Sequence, residues 1–522
     1  MATSFSGARV GTLPISSRHL VAALLCGLAL RLYFIAHFPF YSGDTKFYEE
    51  LARNWLGHGV YGLFVNGQLM PVDHRMPGYP AFLAAIYSTL GRTRIAVMLA
   101  QACIDLITCI LAALIASRIA PAPKKHRAAT IALWLAALCP FTASYTAAIV
   151  TETLAAFFTT LALLALVWIF TEYTFDASGE RANDRPNIPP VQQETLARRL
   201  AVAFALAGFV TGLGTLMRPE TPLVLAAAAV VICIRWRRVA DWQKIALAGA
   251  WMAVGLLAAL TPWAARNARA LGRIEFLAPH YAESAGDYMP RGFYAWTRTW
   301  MVRNRDAYSL TWPLGKKSIS MEAIAEAAFD SAEERARVAE LFASYNSDLK
   351  MTPSLDRKFE ALARERAAAH PIRIFALIPV ERGFATWFTP RVDVLRYSGK
   401  LWPIGEQRRA NPAEFDAAAI FALLNFVYIG LAAVGAWRYR SNPGCAVIVL
   451  YLVIRTALLT QLPTIEPRYV VVCFPAVAAL GALAFVKLRG TGAKTFLSSG
   501  VLQGLKPTES NAEYVGAEAA TP

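Results

Sequence analysis

The stretch Thr151–Thr171 reads TETLAAFFTTLALLALVWIFT. After Glu152 it carries no charge before Glu172. A helix that crosses a bilayer needs about 20 mostly apolar residues, and this stretch supplies them. Segments of the same kind recur on both sides of it. They cover about 20–38, 95–117, 128–146, 151–171, 200–217, 221–236, 245–264, 417–437, 445–462 and 469–487. The expected architecture is therefore an all-α polytopic membrane protein of ten to twelve spans, the upper count including the apolar stretch 372–388. That stretch is broken by Pro379, Glu381 and Arg382, which favours a helix lying at the interface. Composition agrees. Of 522 residues, 56% are hydrophobic and 17% charged, against about 25% charged in an average soluble domain. These values argue against a soluble enzyme, a disordered chain and a disulfide scaffold. The seven cysteines all lie in or beside apolar runs without a CxxC, and read as small core residues.

The net charge of +16 follows from topology rather than from nucleic-acid binding. Alternate short loops collect the cations: Arg118, Lys124, Lys125 and Arg127; Arg181, Arg185, Arg198 and Arg199; Arg235, Arg237, Arg238 and Lys244; Arg438 and Arg440. The opposite loops are nearly bare, with only Arg218 and Arg468 in their short turns. The positive-inside rule places the first set in the cytoplasm, with both termini. Arg31 interrupts the first apolar stretch, which then resumes, so that segment reads as a retained helix rather than a signal peptide.

The chain then divides into a membrane core at 1–264 with an outer loop at 39–94, an outer-face segment at 265–416, the C-terminal transmembrane helices at 417–489, and a disordered cytoplasmic tail at 490–522. Residues 45–55 place Phe47, Tyr48, Leu51 and Trp55 on one face, as in a helix lying on a membrane surface. The run 78–90 is too short to span. Helices are expected over 321–345 and 357–370. No fixed repeat, broken mid-membrane helix or β-barrel alternation is evident.

Five polar clusters fall on the outer side: Gly43-Asp44-Thr45, Asp73-His74-Arg75, Thr151-Glu152-Thr153, Arg218-Pro219-Glu220 and Glu466-Pro467-Arg468-Tyr469. Polar residues at membrane depth are costly and mark function by default. Each has a local alternative. Asp44 and Glu152 suit helix N-termini, and Arg218 and Arg468 each have an acid two residues away. Caps alone do not explain five clusters from distant parts of the chain meeting on one side. Arg31 reads as a hydrogen-bonding partner between helices. The sequence has no Walker A loop, GxGxxG helix start, HExxH or GxSxG.

At these residues the chain resembles the GT-C class of integral-membrane glycosyltransferases. It is most similar to the bacterial branch of the superfamily that holds the protein mannosyltransferases and the lipid A aminoarabinose transferase. The likeness lies in Gly43-Asp44-Thr45 with Tyr48 and Leu51-Ala52, in Arg75-Met76-Pro77-Gly78-Tyr79-Pro80, in Thr151-Glu152-Thr153-Leu154, in Arg218-Pro219-Glu220 and in Pro467-Arg468-Tyr469. Met76 stands where the family has Pro. Asp44 stands alone where protein mannosyltransferases have an Asp-Glu pair.

The resemblance implies a GT-C bundle and a polyprenyl-phosphate-sugar donor in the inner membrane. The sugar would pass to an outer-face lipid (lipid A among them), polysaccharide or protein. It implies inversion in a single displacement with Asp44 as base, and Arg75, Arg218, Arg468 and Arg266 on the donor phosphate. Glu152, His74, Tyr48, Tyr79 and Glu220 would position sugar or acceptor. No cofactor is required; a divalent ion, if used, falls to Asp44, Asp73, His74 and Glu152. The rival readings are a ligase or oligosaccharyltransferase for pyrophosphate-linked glycans, and a lipid or solute transporter.

Overall fold

The computed structural model describes residues 13–172, 190–235, 242–279 and 288–486. The cations Arg181, Arg185, Arg237 and Arg238, both termini and the tail beyond 489 lie outside these residues.

The expected all-α membrane architecture is the one observed. Helix α1 (Ser17–His37) is followed by α2 (Gly43–His58), a β-hairpin of β1 (Gly62–Val65) and β2 (Gln68–Pro71), and α3 (Gly78–Thr89). Then come α4 (Arg94–Ile119), α5 (Lys125–Ala137), α6 (Pro140–Tyr145), α7 (Glu152–Glu172), α8 (Pro190–Met217), α9 (Leu223–Arg235) and α10 (Trp242–Leu271). Among the described residues six helices are long and apolar enough to cross a membrane: α1, α4, α7, α8, α10 and the later α17 (Pro412–Arg438). Three shorter apolar helices, at 223–234, 443–459 and 467–483, join them.

Two expected spans are broken, contrary to the sequence reading. Segment 128–146 splits into α5 and α6 because Pro140 starts a new helix and has no N–H to continue the old one. The buried turns after α6 are held by Gln101, whose Nε2 donates to the carbonyls of Thr146 and Ala148 at 3.0 and 2.8 Å. That contact meets the rule that buried backbone groups find partners. Segment 469–487 begins as a 3₁₀ helix over Pro467–Cys473 and becomes α-helical only from Phe474. Pro475, in the first turn of that second part, cannot donate to the turn before it.

The bundle core is rich in alanine, including Ala112, Ala116, Ala128, Ala132 and Ala478, all fully buried. Small residues let helices approach closely where lipid offers no hydrophobic drive. At Gly255, on α10, a Cβ would collide with the backbone of α8. Arg31 is fully buried and joins three helices. It pairs with Asp105 of α4 at 2.6 Å and donates to the carbonyls of Gly27 and Ala137 at 2.8 and 2.9 Å.

Beyond α10 the chain forms α11 (Arg291–Arg298), α12 (Asn304–Leu310), α13 (Ala332–Asp348) and α14 (Pro353–Ala369) around an aromatic core of Phe293, Trp296, Phe342 and Phe359. Helix α13 starts later than expected because Ser331 caps it; only isolated 3₁₀ turns precede it. Residues 373–377 form a π turn leading into α15 (Ile378–Trp387). Helices α16 (Ile404–Ala410), α17, α18 (Pro443–Leu459) and α19 (Phe474–Leu483) complete the described residues.

Candidate active site

The site begins with the way α2 is anchored. Ser42 caps the helix, its side chain accepting from the Thr45 amide at 3.4 Å. Asp44 is therefore not the cap, and its carboxylate is left for other partners. Thr45 Oγ1 donates to the carbonyl of Ile149 at 2.9 Å, and the Phe40 amide donates to that of Ala147 at 3.0 Å. These bonds fix the start of α2 against the turn that leads to Glu152, the first residue of α7.

Gly78 brings the next element in. A Cβ there would lie 2.6 Å from the carbonyl oxygen of Leu216, so only glycine lets α3 abut the end of α8. That approach sets Arg75 and Arg218 beside the same space.

The resulting cluster gathers residues from all five sequence motifs around Asp44 and Glu152. Arg468 Nη2 lies 3.0 Å from Asp44 Oδ2, and Arg75 Nη2 lies 3.6 Å from Asp44 Oδ1. Arg468 Nε reaches Glu466 at 2.5 Å and Glu152 at 3.7 Å. Arg218 bridges Glu152 at 3.1 Å and Glu220 at 2.6 Å. The local pairs at 218–220 and 466–468 do form, but the same guanidiniums also tie distant segments together. Tyr469 lies beneath both cations, its ring centroid 4.7 Å from Arg218 and 5.5 Å from Arg468, and its hydroxyl donates to Glu466 at 2.8 Å.

Electrostatics sort the groups. Burial pushes the Asp44 carboxyl up, but Arg468 and Arg75 outweigh it and hold its pKa below the ordinary value. The side chain stays 28% exposed, so this carboxylate is both ionised and reachable. Glu220 is more enclosed. Burial is again opposed, here by Arg218 and Arg455, and its pKa falls to about 2. Burial works against the charge of Arg218, yet Glu220 and Glu152 keep its pKa raised. Burial, and then the charge of Asp44, push the Tyr48 hydroxyl above its usual value, so it stays protonated. Glu152 is almost fully buried, and among the described residues its Oε2 has no hydrogen-bond partner. A buried acceptor of that kind is costly when unmet.

The remaining sequence candidates go elsewhere. Arg266 donates to the carbonyls of Val72 (2.8 Å) and Tyr61, and its guanidinium stacks on Tyr61 and Trp263. It secures the hairpin loop to α10 rather than standing among the phosphate-binding candidates. Tyr79 is buried with its hydroxyl on Gln101 at 2.7 Å, and its ring supports Tyr48. Asp73 pairs with Arg273, and His74 packs edge-on to Phe47. Among the described residues no three His, Cys, Asp or Glu side chains are placed to hold a metal ion. The four suggested ligands, Asp44, Asp73, His74 and Glu152, are therefore not brought together.

Three members were missed as site residues. Arg455, fully buried in α18, pairs with Glu220 at 3.0 Å. Its signal was an arginine inside an apolar run. Glu466 was visible only as a partner of Arg468. Asp393 borders the cluster, and burial, then Glu466 after the opposing pull of Arg391, holds its carboxyl above the usual range.

No protein-family model and no curated protein matches the chain. Solved structures do. The chain is similar to the Archaeoglobus fulgidus oligosaccharyltransferase AglB in complex with an inhibitory peptide and a dolichol-phosphate. The identity is 13% over 90% of this chain and 49% of that one, with a TM-score of 0.47. It is also similar to ArnT from Cupriavidus metallidurans bound to undecaprenyl phosphate, at 15% identity over 90% and 78% of the two chains and a TM-score of 0.37. The chain spans about half the length of the archaeal oligosaccharyltransferase. Likenesses of this degree assign no substrate and no residue role, which rest on the site's own chemistry.

Proposed function

We propose that this protein is a membrane glycosyltransferase. It moves a sugar from a polyprenyl-phosphate carrier to an acceptor on the outer face of a bacterial inner membrane. The observation that carries this reading is the ionised, reachable Asp44 carboxylate held between Arg75 and Arg468, beside Arg218 and the unmet oxygen of Glu152.

The reaction asks for few groups. The acceptor hydroxyl gives its proton to Asp44 and its oxygen attacks the anomeric carbon. The bond from that carbon to the phosphate oxygen breaks on the opposite face, inverting the centre. The departing lipid phosphate needs cations rather than an acid, and forked guanidiniums match its oxygens. Arg75, Arg218 and Arg468 take this role. Glu152 Oε2 accepts from a sugar or acceptor hydroxyl, and Tyr48 donates to one.

The arginines that hold the Asp44 pKa down are the ones the phosphate recruits. Donor binding weakens their pull on the carboxylate, which becomes a stronger base when it is needed.

The test is release of labelled sugar from polyprenyl-phosphate donors in proteoliposomes supplied with outer-face acceptors. Wild type releases sugar and folded Asp44→Asn does not. No release by folded wild type from any such donor overturns the reading. The helix breaks at Pro140 and before Phe474 suit a transporter, so flux across the bilayer without release would establish that second reading.

A further inference from the structure

A second set of arginines lies away from Asp44. Helix α15 packs on the end of α18, with Trp387 Nε1 donating to Thr456 at 2.9 Å. Between α15, α11 and α14 is a cavity of about 280 Å³, lined by Arg298, Glu360, Arg364, Phe375, Ile378 and Arg382 among others. Glu360 is taken by Arg364 at 2.5 Å. Arg382 is 1% exposed, and among the described residues it donates only to the carbonyl of Leu462 and its Nε is unpartnered. Arg298 donates to the carbonyl of Gln461 at 3.4 Å. Among the described residues neither Arg298 nor Arg382 has a carboxylate partner.

A buried guanidinium without a counter-charge is expensive. Burial, with Arg298 alongside, pushes the Arg382 pKa down to about 10, still well above neutrality. The cavity thus holds two cations that the chain leaves uncompensated.

The surface beside it is apolar. Ile372 and Phe375 are 74% and 72% exposed, and Val380, Phe384 and Phe388 are also open. Phe388 meets Phe426 of α17 with ring centroids 6.2 Å apart, and α17 itself exposes Ile420, Leu423 and Phe426. The apolar face of α15 is thus continuous with the face of a membrane-spanning helix. An anionic head in the cavity would have its chains on that face.

We infer that the α11–α14–α15 cavity binds the phosphate head of an anionic lipid through Arg298 and Arg382, with the acyl chains on the exposed face of α15. It is distinct from the Asp44 cluster, although the 462–466 loop links the two.

The experiment is thermal unfolding of the full chain in neutral detergent with short-chain phosphatidylglycerol, short-chain phosphatidylcholine or inorganic phosphate. Phosphatidylglycerol is expected to raise the midpoint by several degrees, with phosphatidylcholine and inorganic phosphate raising it by less than half as much. Arg298→Gln, an exposed position, is expected to remove most of the shift while the unliganded midpoint stays near wild type. Arg382→Gln removes it altogether if the variant folds. Equal shifts from the two lipids, or free phosphate matching phosphatidylglycerol, would overturn the lipid assignment. A wild-type shift in Arg298→Gln, or one lost instead in Arg218→Ala, would overturn the site.

Discussion

Two arginine–carboxylate arrangements show how one chemistry serves two ends. Arg31 and Asp105 are 0% and 2% exposed in their side chains, and Arg31 meets an acid and two carbonyls. Asp44, Arg75 and Arg468 are 28%, 33% and 23% exposed. Their longest contact is a loose 3.6 Å, and an unmet acceptor sits nearby on Glu152. The first arrangement is closed and complete, so it fastens helices. The second is open and incomplete, so it is poised for a ligand. Access and partner satisfaction together separate them.

Several variants test that contrast. The largest effect is expected for Asp44→Asn, which should cut sugar transfer by about 10²–10⁴-fold with an unfolding midpoint close to wild type. Loss of stability instead of turnover would make the two arrangements alike. Arg31→Met leaves Asp105 as a buried lone charge and should cost about 3–5 kcal/mol of stability. Activity per folded molecule should persist, and adding Asp105→Leu should restore most of the loss in a denaturation series. Arg218→Ala removes charged hydrogen bonds worth about 1.5–3 kcal/mol, read as a rise in donor KM.

The acid limb of the kcat/KM profile sharpens the contrast further. In wild type the lowered Asp44 pKa keeps that limb below the ordinary carboxylate range. Arg468→Gln removes the strongest attraction, so the limb should move upward. Glu220 offers a stability counterpart. Its folded pKa is depressed from 4.5 to about 2, so its contribution is present above 4.5 and lost as pH falls towards about 2. Glu220→Gln should flatten acid unfolding in that window. The smallest change is expected for Thr45→Val, at about 1 kcal/mol for one hydrogen bond.

Legibility in the sequence followed physical cause. Helix α7 and the other long apolar helices were readable because lipid demands a length and a composition. Asp44, Glu152, Arg218 and Arg468 were readable because charge at the ends of apolar segments is conspicuous. Asp105 and Arg455 were not picked out. Each is a single polar residue inside an otherwise apolar run, and its partner lies 74 or 235 positions away. The hairpin was overlooked although Asn66-Gly67, both at positive φ, is its turn signal. The role of Arg266 lay beyond reach, since nothing local says that a cation will meet the carbonyls of Val72 and Tyr61.

The cluster of Arg75, Arg218 and Arg468 has a consequence for throughput. On the proposed reaction the lipid phosphate enters as a diester with one negative charge and leaves as a monoester approaching two. Guanidiniums that stabilise the departing group therefore hold the spent carrier more tightly than the loaded one. Such an enzyme is subject to product inhibition, and its steady rate is governed by how quickly the membrane clears the emptied carrier.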